Sequence, residues 1–246
     1  MKRVRWQTAL VLSLIFLSAV IYLIHYTIFK DLYHIFIYLI YDIAFLPLEV
    51  LLVTLILHRL LSEREKKARL EKLNMVIGVF FSEVGTLLLT YLSDSDPRLE
   101  SIRKDLIVTN NWSDQEFSQV SRHLKGYDYG IHLPMIDLED LRSFLLGKRD
   151  FLVRLLENPS LLEHESFTTL LRAVFHLTEE LTSREDLKGL PETDTAHLRG
   201  DAKRVYSLLV DQWLDYMRHL KTNYPYLFSL AMRTNPFDQT ASPIVR

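Results

Sequence analysis

Residues 35–57, IFIYLIYDIAFLPLEVLLVTLIL, decide how this chain is read, together with residues 6–29, WQTALVLSLIFLSAVIYLIHYTIF, which precede them. At 1.5 Å per helical residue, about 20 apolar residues cross the hydrocarbon of a bilayer, and both stretches reach that length. The first holds no Asp, Glu, Lys or Arg, whereas the second is interrupted by Asp42, Pro47 and Glu49. Lys30, Asp31 and His34 between them leave room only for a short turn, so a transmembrane hairpin of neighbouring helices is expected over residues 1–58. A cleaved signal peptide competes for the first stretch, but no clear small-residue cleavage site follows its long apolar run.

Basic residues are retained on the cytoplasmic side of a membrane. Lys2, Arg3 and Arg5 precede the first stretch, and Arg59, Arg64, Lys66, Lys67, Arg69 and Lys72 follow the second, against Lys30 alone in the turn. Both termini are therefore expected in the cytoplasm, in an inner or plasma membrane. Trp6 and the tyrosines Tyr22, Tyr26, Tyr33, Tyr38 and Tyr41 suit the interfacial belts. Residues 59–74 read as a basic juxtamembrane helix. Arg59, Arg64, Lys66, Lys67 and Arg69 are candidates for contacts with anionic lipid headgroups, although a basic run also serves simply to set topology.

Residues 73–246 hold 19 Lys and Arg against 25 Asp and Glu. That acidic balance offers no basic face for nucleic acid, which is excluded as a partner. The absence of cysteine rules out disulfides and Cys-based zinc sites. Residues 75–92 carry one charge, Glu83, and form a marginal third span. A central acid costs about 2.5–3.5 kcal/mol on insertion scales, so a place in a soluble domain is the expectation.

Leu70, Leu73, Ile77, Phe80, Val84, Leu87 and Tyr91 fall at alternating three- and four-residue steps, the seam of a helix with partners, and Gly78 and Gly85 would let another helix approach closely. Asp96 before Pro97, Ser113 with Glu116, and Asp137 mark further helix starts. Residues 126–134 read as an irregular connection or a small β excursion. Two longer helices follow, one from Ser166 and one through Ala202, Val205, Leu209, Trp213, Met217 and Leu220, separated by a break at Gly189 and Pro191. The predicted fold is all-α, with a helical domain over 75–234 and a loose tail from 235.

Candidate chemistry lies in two places. Asp42 and Glu49 are seven residues apart, hence on one helix face about 10 Å apart. Intramembrane acids face a bundle interior or a wet cavity, and Pro47 frees a carbonyl beside them, so an oligomeric cation or proton path is one reading and helix packing the other. In the domain, His176 with Glu180 and His197 with Asp201 have the i, i+4 spacing that can aim two ligands at one metal ion. Counting 100° per residue puts His176 opposite the apolar stripe of its helix, and His197, Asp201, Asp215 and His219 on a polar flank. The expectation is a solvated or subunit-facing surface with ion pairs such as Glu180 with Arg184, and a metal is the alternative. No Walker loop, G-x-G-x-x-G, H-E-x-x-H or G-x-S-x-G occurs, and no cofactor is expected.

The layout, including Phe175-His176-Leu177-Thr178-Glu179-Glu180 and Tyr224-Pro225-Tyr226-Leu227-Phe228-Ser229-Leu230, resembles uncharacterised prokaryotic two-span membrane proteins with a cytoplasmic helical domain. The resemblance implies an architecture and no activity. The functional expectation is an integral membrane protein whose helical domain acts as an interaction, scaffolding or signalling module. It would form homo-oligomers or bind a protein partner through helical faces. A small channel and a metal-dependent helical-bundle enzyme are the alternatives.

Overall fold

The computed structural model describes residues 2–244 apart from Glu163, with the side chains at 2–5, 7, 160 and 162 also left out. The basic side chains of Lys2, Arg3 and Arg5 and the last two residues of the expected tail thus lie outside the described residues. All regular elements among the described residues are helical. They are α1 (Lys2–Phe29), α2 (Leu32–Phe80), α3 (Thr86–Asp94), α4 (Glu100–Leu106), α5 (Asp114–Lys125), α6 (Leu138–Gly147), α7 (Arg149–Leu156), α8 (Pro159–Leu162), α9 (Glu165–Thr182), α10 (Glu192–Asn223) and α11 (Pro225–Arg233). The chain divides into two compact units, Met1–Lys66 and Lys67–Arg246, and the division falls inside α2.

In the first unit, α1 and the start of α2 are joined through Lys30, whose φ of 49° lies in the left-handed region. The Asp31 side chain then accepts from the backbone N–H of Tyr33 and His34 and caps α2. The side chains from Leu10 to Leu61 are exposed, apart from a half-buried group, Val20, His25, Asp31, Ile35 and Ile37. The helices are long and apolar enough to cross a membrane, and none of the most apolar window of either is buried.

The second unit is built on α9 and α10, which run antiparallel, as the contact between Ser166 and Gln212 and that between His176 and Asp201 require. The α6, α7 and α8 helices pack on α9, while α3, α5 and α11 pack on α10. Pro191 sets the start of α10, and Glu192 and Asp194 fill its first turn, where acids complement the helix dipole. The break before it turns at Gly189, whose φ of +72° suits glycine. The capping box at Ser113 and Glu116 and the cap at Asp137 are formed as the sequence indicates.

Residues 75–92 supply core to this domain. Ile77, Phe80, Phe81, Val84, Leu88, Leu89 and Leu92 are all buried. The expected seam holds from Leu73 to Val84: Leu70 is exposed, and beyond Val84 the register changes because Phe81–Gly85 forms a π-helical turn. Such a turn inserts one extra residue. The buried set therefore moves to Leu88, Leu89 and Leu92, and Leu87 is left exposed. Gly78 does receive a neighbouring helix, since a Cβ there would lie 3.2 Å from the Tyr216 hydroxyl.

The tail is not loose at its start. Phe237 is fully buried with its ring edge-on to Trp213 at 5.1 Å, and its carbonyl accepts from Arg103 Nη1 at 2.8 Å. Asn235 Nδ2 donates to the Leu106 carbonyl at 2.9 Å. Polar composition hid these anchors.

Candidate functional site

The i, i+4 pairs of α9 and α10 meet across the antiparallel contact. One ligand atom from each of His176, Glu180, His197 and Asp201 can be chosen so that all four lie within 4.8 Å of one another. Asp201 Oδ2 is 3.4 Å from His176 Nε2 and 3.4 Å from His197 Nε2. Glu180 offers Oε1 at 3.7 Å to His176 and Oε2 at 3.5 Å to His197. The imidazoles are about half exposed, at 47% and 53%, while Asp201 is only 4% exposed.

Asp201 corrects the helical-wheel expectation. It lies between Leu198 and Val205, both buried, at the three- and four-residue steps of the core stripe, and is therefore on the inner face of α10. Its Oδ1 is 3.3 Å from Arg204 Nη1, whereas Oδ2 is buried and has no hydrogen-bond partner. A buried carboxylate oxygen without a donor is costly, and most such groups in native proteins are paired.

A second layer of groups orients Glu180. Arg184 Nη1 donates to Glu180 Oε2 at 2.8 Å and to the Glu180 carbonyl, and its Nε and Nη2 form a fork to Asp194 at 2.8 and 2.6 Å. The hydrogen bond from Arg184 holds both the Glu180 and the Asp194 carboxyl below the usual carboxylate range, and the carboxylates in turn raise the Arg184 guanidinium.

Two further histidines lie apart from this cluster. His164 caps α9, accepting from the Phe167 N–H, and bonds Ser166. His219 turns away from Asp215 to Asn223 and Tyr224, and burial lowers its imidazole pKa. Asp42, Glu49 and Pro47 sit on exposed stretches of α2, and among the described residues nothing encloses them. Arg59, Arg64, Lys66, Lys67 and Arg69 are exposed along the same helix, with Arg59 paired to Glu63 at 3.3 Å.

Two features had no counterpart in the sequence reading. One is an apolar groove of about 600 Å³ in the second unit, floored by Gly78, Phe81, Tyr216 and His219 and walled by Met75, Val79, Leu227 and Leu230. Its wall residues are largely exposed apolar side chains. The other is a buried aromatic cluster in which Tyr127 donates to Asp96 at 2.9 Å and the rings of Tyr127, Tyr129 and Tyr206 meet edge-on at 4.9 Å. The exposed apolar groups and the alternation Tyr127, Tyr129, Ile131, Leu133 were present in the sequence. Their partners, far along the chain, were not.

The fold and these sites define an all-α protein with two uncovered apolar helices and a separate helical domain whose central helix pair carries two histidines and two carboxylates. The chain belongs to the family of the protein MJ1433. Residues 2–61 match the model described as "MJ1433, N-terminal helical domain", and residues 69–233 match "Uncharacterized protein MJ1433, C-terminal helical domain". The uncharacterized protein MJ1433 of Methanocaldococcus jannaschii is 49% identical over 234 residues, covering 95% of this chain and 94% of that protein. No solved structure matches.

Proposed function

We propose that the chain is an integral membrane protein with both termini in the cytoplasm, and that its helical domain works by binding, as an interaction or scaffolding module, rather than by catalysis. The observation that carries the reading is the uncovered state of α1 and the first half of α2. A core helix of a soluble protein is mostly buried, yet none of the most apolar windows here is covered by the chain itself. Roughly 50 residues of exposed apolar helix need lipid or other apolar helices as solvent. The basic side chains from Arg59 to Lys72 then fall on the cytoplasmic side, close to anionic headgroups. A cation path through Asp42 and Glu49 would have to be assembled from several copies, and this makes it the weaker reading.

The domain supports a binding role through its groove, whose walls expose Met75, Val79 and Leu230. Because the chain has no cysteine, single replacements report cleanly. A Val79→Cys variant in native membranes, treated with a short thiol crosslinker, is expected to give a discrete adduct with a second copy or a partner. An uncrosslinked monomer at every expression level would remove the interaction reading.

A further inference from the structure

We infer that His176, Glu180, His197 and Asp201 form a binding site for one divalent transition-metal cation of the zinc class, held between α9 and α10. The inference goes beyond the membrane and binding-module reading and does not depend on it. Zinc in a tetrahedral protein site makes bonds of about 2.0–2.1 Å to imidazole nitrogen and carboxylate oxygen, which places ligand atoms about 3.3–3.4 Å from each other. Asp201 Oδ2 lies 3.4 Å from each Nε2 atom, and Glu180 reaches His176 through Oε1 at 3.7 Å and His197 through Oε2 at 3.5 Å. These separations are too long for good hydrogen bonds, which cluster at 2.7–3.2 Å, and with one ligand atom from each residue all four lie within 4.8 Å, so a shared cation would need to draw in only the widest pairs.

The second and independent observation is Asp201 Oδ2. This oxygen is buried, lacks a hydrogen-bond donor and is equidistant from the two Nε2 atoms. A cation there would supply the missing partner, and the charge of two carboxylates would match a 2+ ion. Nitrogen and oxygen donors without thiolate favour zinc, cobalt or nickel over copper(I), while two imidazoles disfavour calcium and magnesium. Arg184, bonded to Glu180 Oε2, and Arg204, paired with Asp201 Oδ1, are the orienting groups that metal ligands regularly have, and they leave Glu180 Oε1 and Asp201 Oδ2 for the cation.

Four protein ligands leave no open position, which suits a structural or sensing site and not a catalytic one. The cation would clamp α9 to α10 beside the break at residues 183–191. Loading would therefore stiffen the domain, and release would loosen it.

The test uses full-length protein in detergent, purified through a tag without histidines and stripped with a chelator. Addition of Co²⁺ is expected to produce the visible absorption of a tetrahedral ion at one equivalent per chain, displaced by Zn²⁺, and elemental analysis after gel filtration should find one zinc per chain. The isosteric variants Asp201→Asn and Glu180→Gln should each weaken binding by roughly tenfold or more, and His176→Ala with His197→Ala should abolish it. His123→Ala, which alters another exposed imidazole paired with an acid, should bind as the parent does. Zinc should raise the melting temperature of the parent and leave that of the double-histidine variant unchanged, with circular dichroism confirming that the variant is folded. Absence of stoichiometric Co²⁺ and Zn²⁺ in the parent, or equal binding by the folded double-histidine variant, would overturn the inference.

Discussion

Replacing Phe237 by alanine removes a side chain that is fully buried and stacked edge-on against Trp213 at 5.1 Å, close to the end of the chain. Truncating a buried phenylalanine costs about 3–5 kcal/mol, through lost transfer free energy and the cavity left behind. The site is poorly able to collapse. The backbone on either side is tied by Asn235 to Leu106 and by Arg103 to the Phe237 carbonyl, and so the hole stays open. Taking about 4 kcal/mol, and 2–4 °C per kcal/mol for a domain of this size, the melting temperature of the second unit should fall by roughly 8–16 °C. The assay is thermal unfolding of full-length protein in detergent, followed by near-ultraviolet circular dichroism, to which Trp213 contributes. Ile244→Ala, an exposed change in the same tail, should stay within about 0.5 kcal/mol of the parent. If Phe237→Ala behaved like Ile244→Ala, the packed tail would be refuted and the segment would be the loose end its composition suggests.

Gly85→Ala should destabilise the domain by about 2 kcal/mol, because the new Cβ would lie 2.7 Å from Phe81 and 2.9 Å from Phe80 ring carbons, both rings being buried. Gly147→Ala, with nothing within 4 Å, should be neutral in the same denaturant titration. Acid unfolding should respond to Arg184→Gln. Glu180 and Asp194 are held below their ordinary range by Arg184, so the unfolded chain protonates first as the pH falls. Their stabilisation is present above about pH 4 and is lost as pH drops through the lowered folded values. The variant should thus unfold at higher pH than the parent, with the two curves converging in strong acid; coincident midpoints would contradict the assignment. Asp42→Asn and Glu49→Gln should leave proton and cation flux through proteoliposomes at the protein-free background, as should the parent, and a parent flux abolished by either change would restore the channel reading.

Much of this architecture was legible in local pattern. The apolar lengths of residues 6–29 and 35–57, the caps at Ser113 and Asp137, and the break at Gly189 and Pro191 each depend on neighbours a few residues away. What escaped depended on distant partners or on phase. A single π-helical turn at Phe81–Gly85 advances the buried face by one residue, and no propensity marks it. Counting 100° per residue sets Asp201 on a polar flank, although Leu198 and Val205 bracket it at core spacing. The i, i+4 pairs on α9 and α10 were visible singly. Their meeting required knowing that residues 176 and 201 lie opposite each other in the antiparallel pair, a register set by packing along both helices. The groove between α2 and α11 had the same obstacle, since its walls are contributed about 150 residues apart in sequence.

The central claim is that the two uncovered apolar helices reside in a membrane with the helical domain inside the cell. Labelling with a membrane-impermeant maleimide tests it directly, using the exposed positions Tyr33→Cys beside the turn and Gln119→Cys on α5, each the sole thiol of the chain. The protein should stay in the pellet after alkaline carbonate washing, Tyr33→Cys should be labelled on intact cells, and Gln119→Cys should be labelled only after lysis. Release by carbonate, or labelling of Gln119→Cys on intact cells, would contradict that claim.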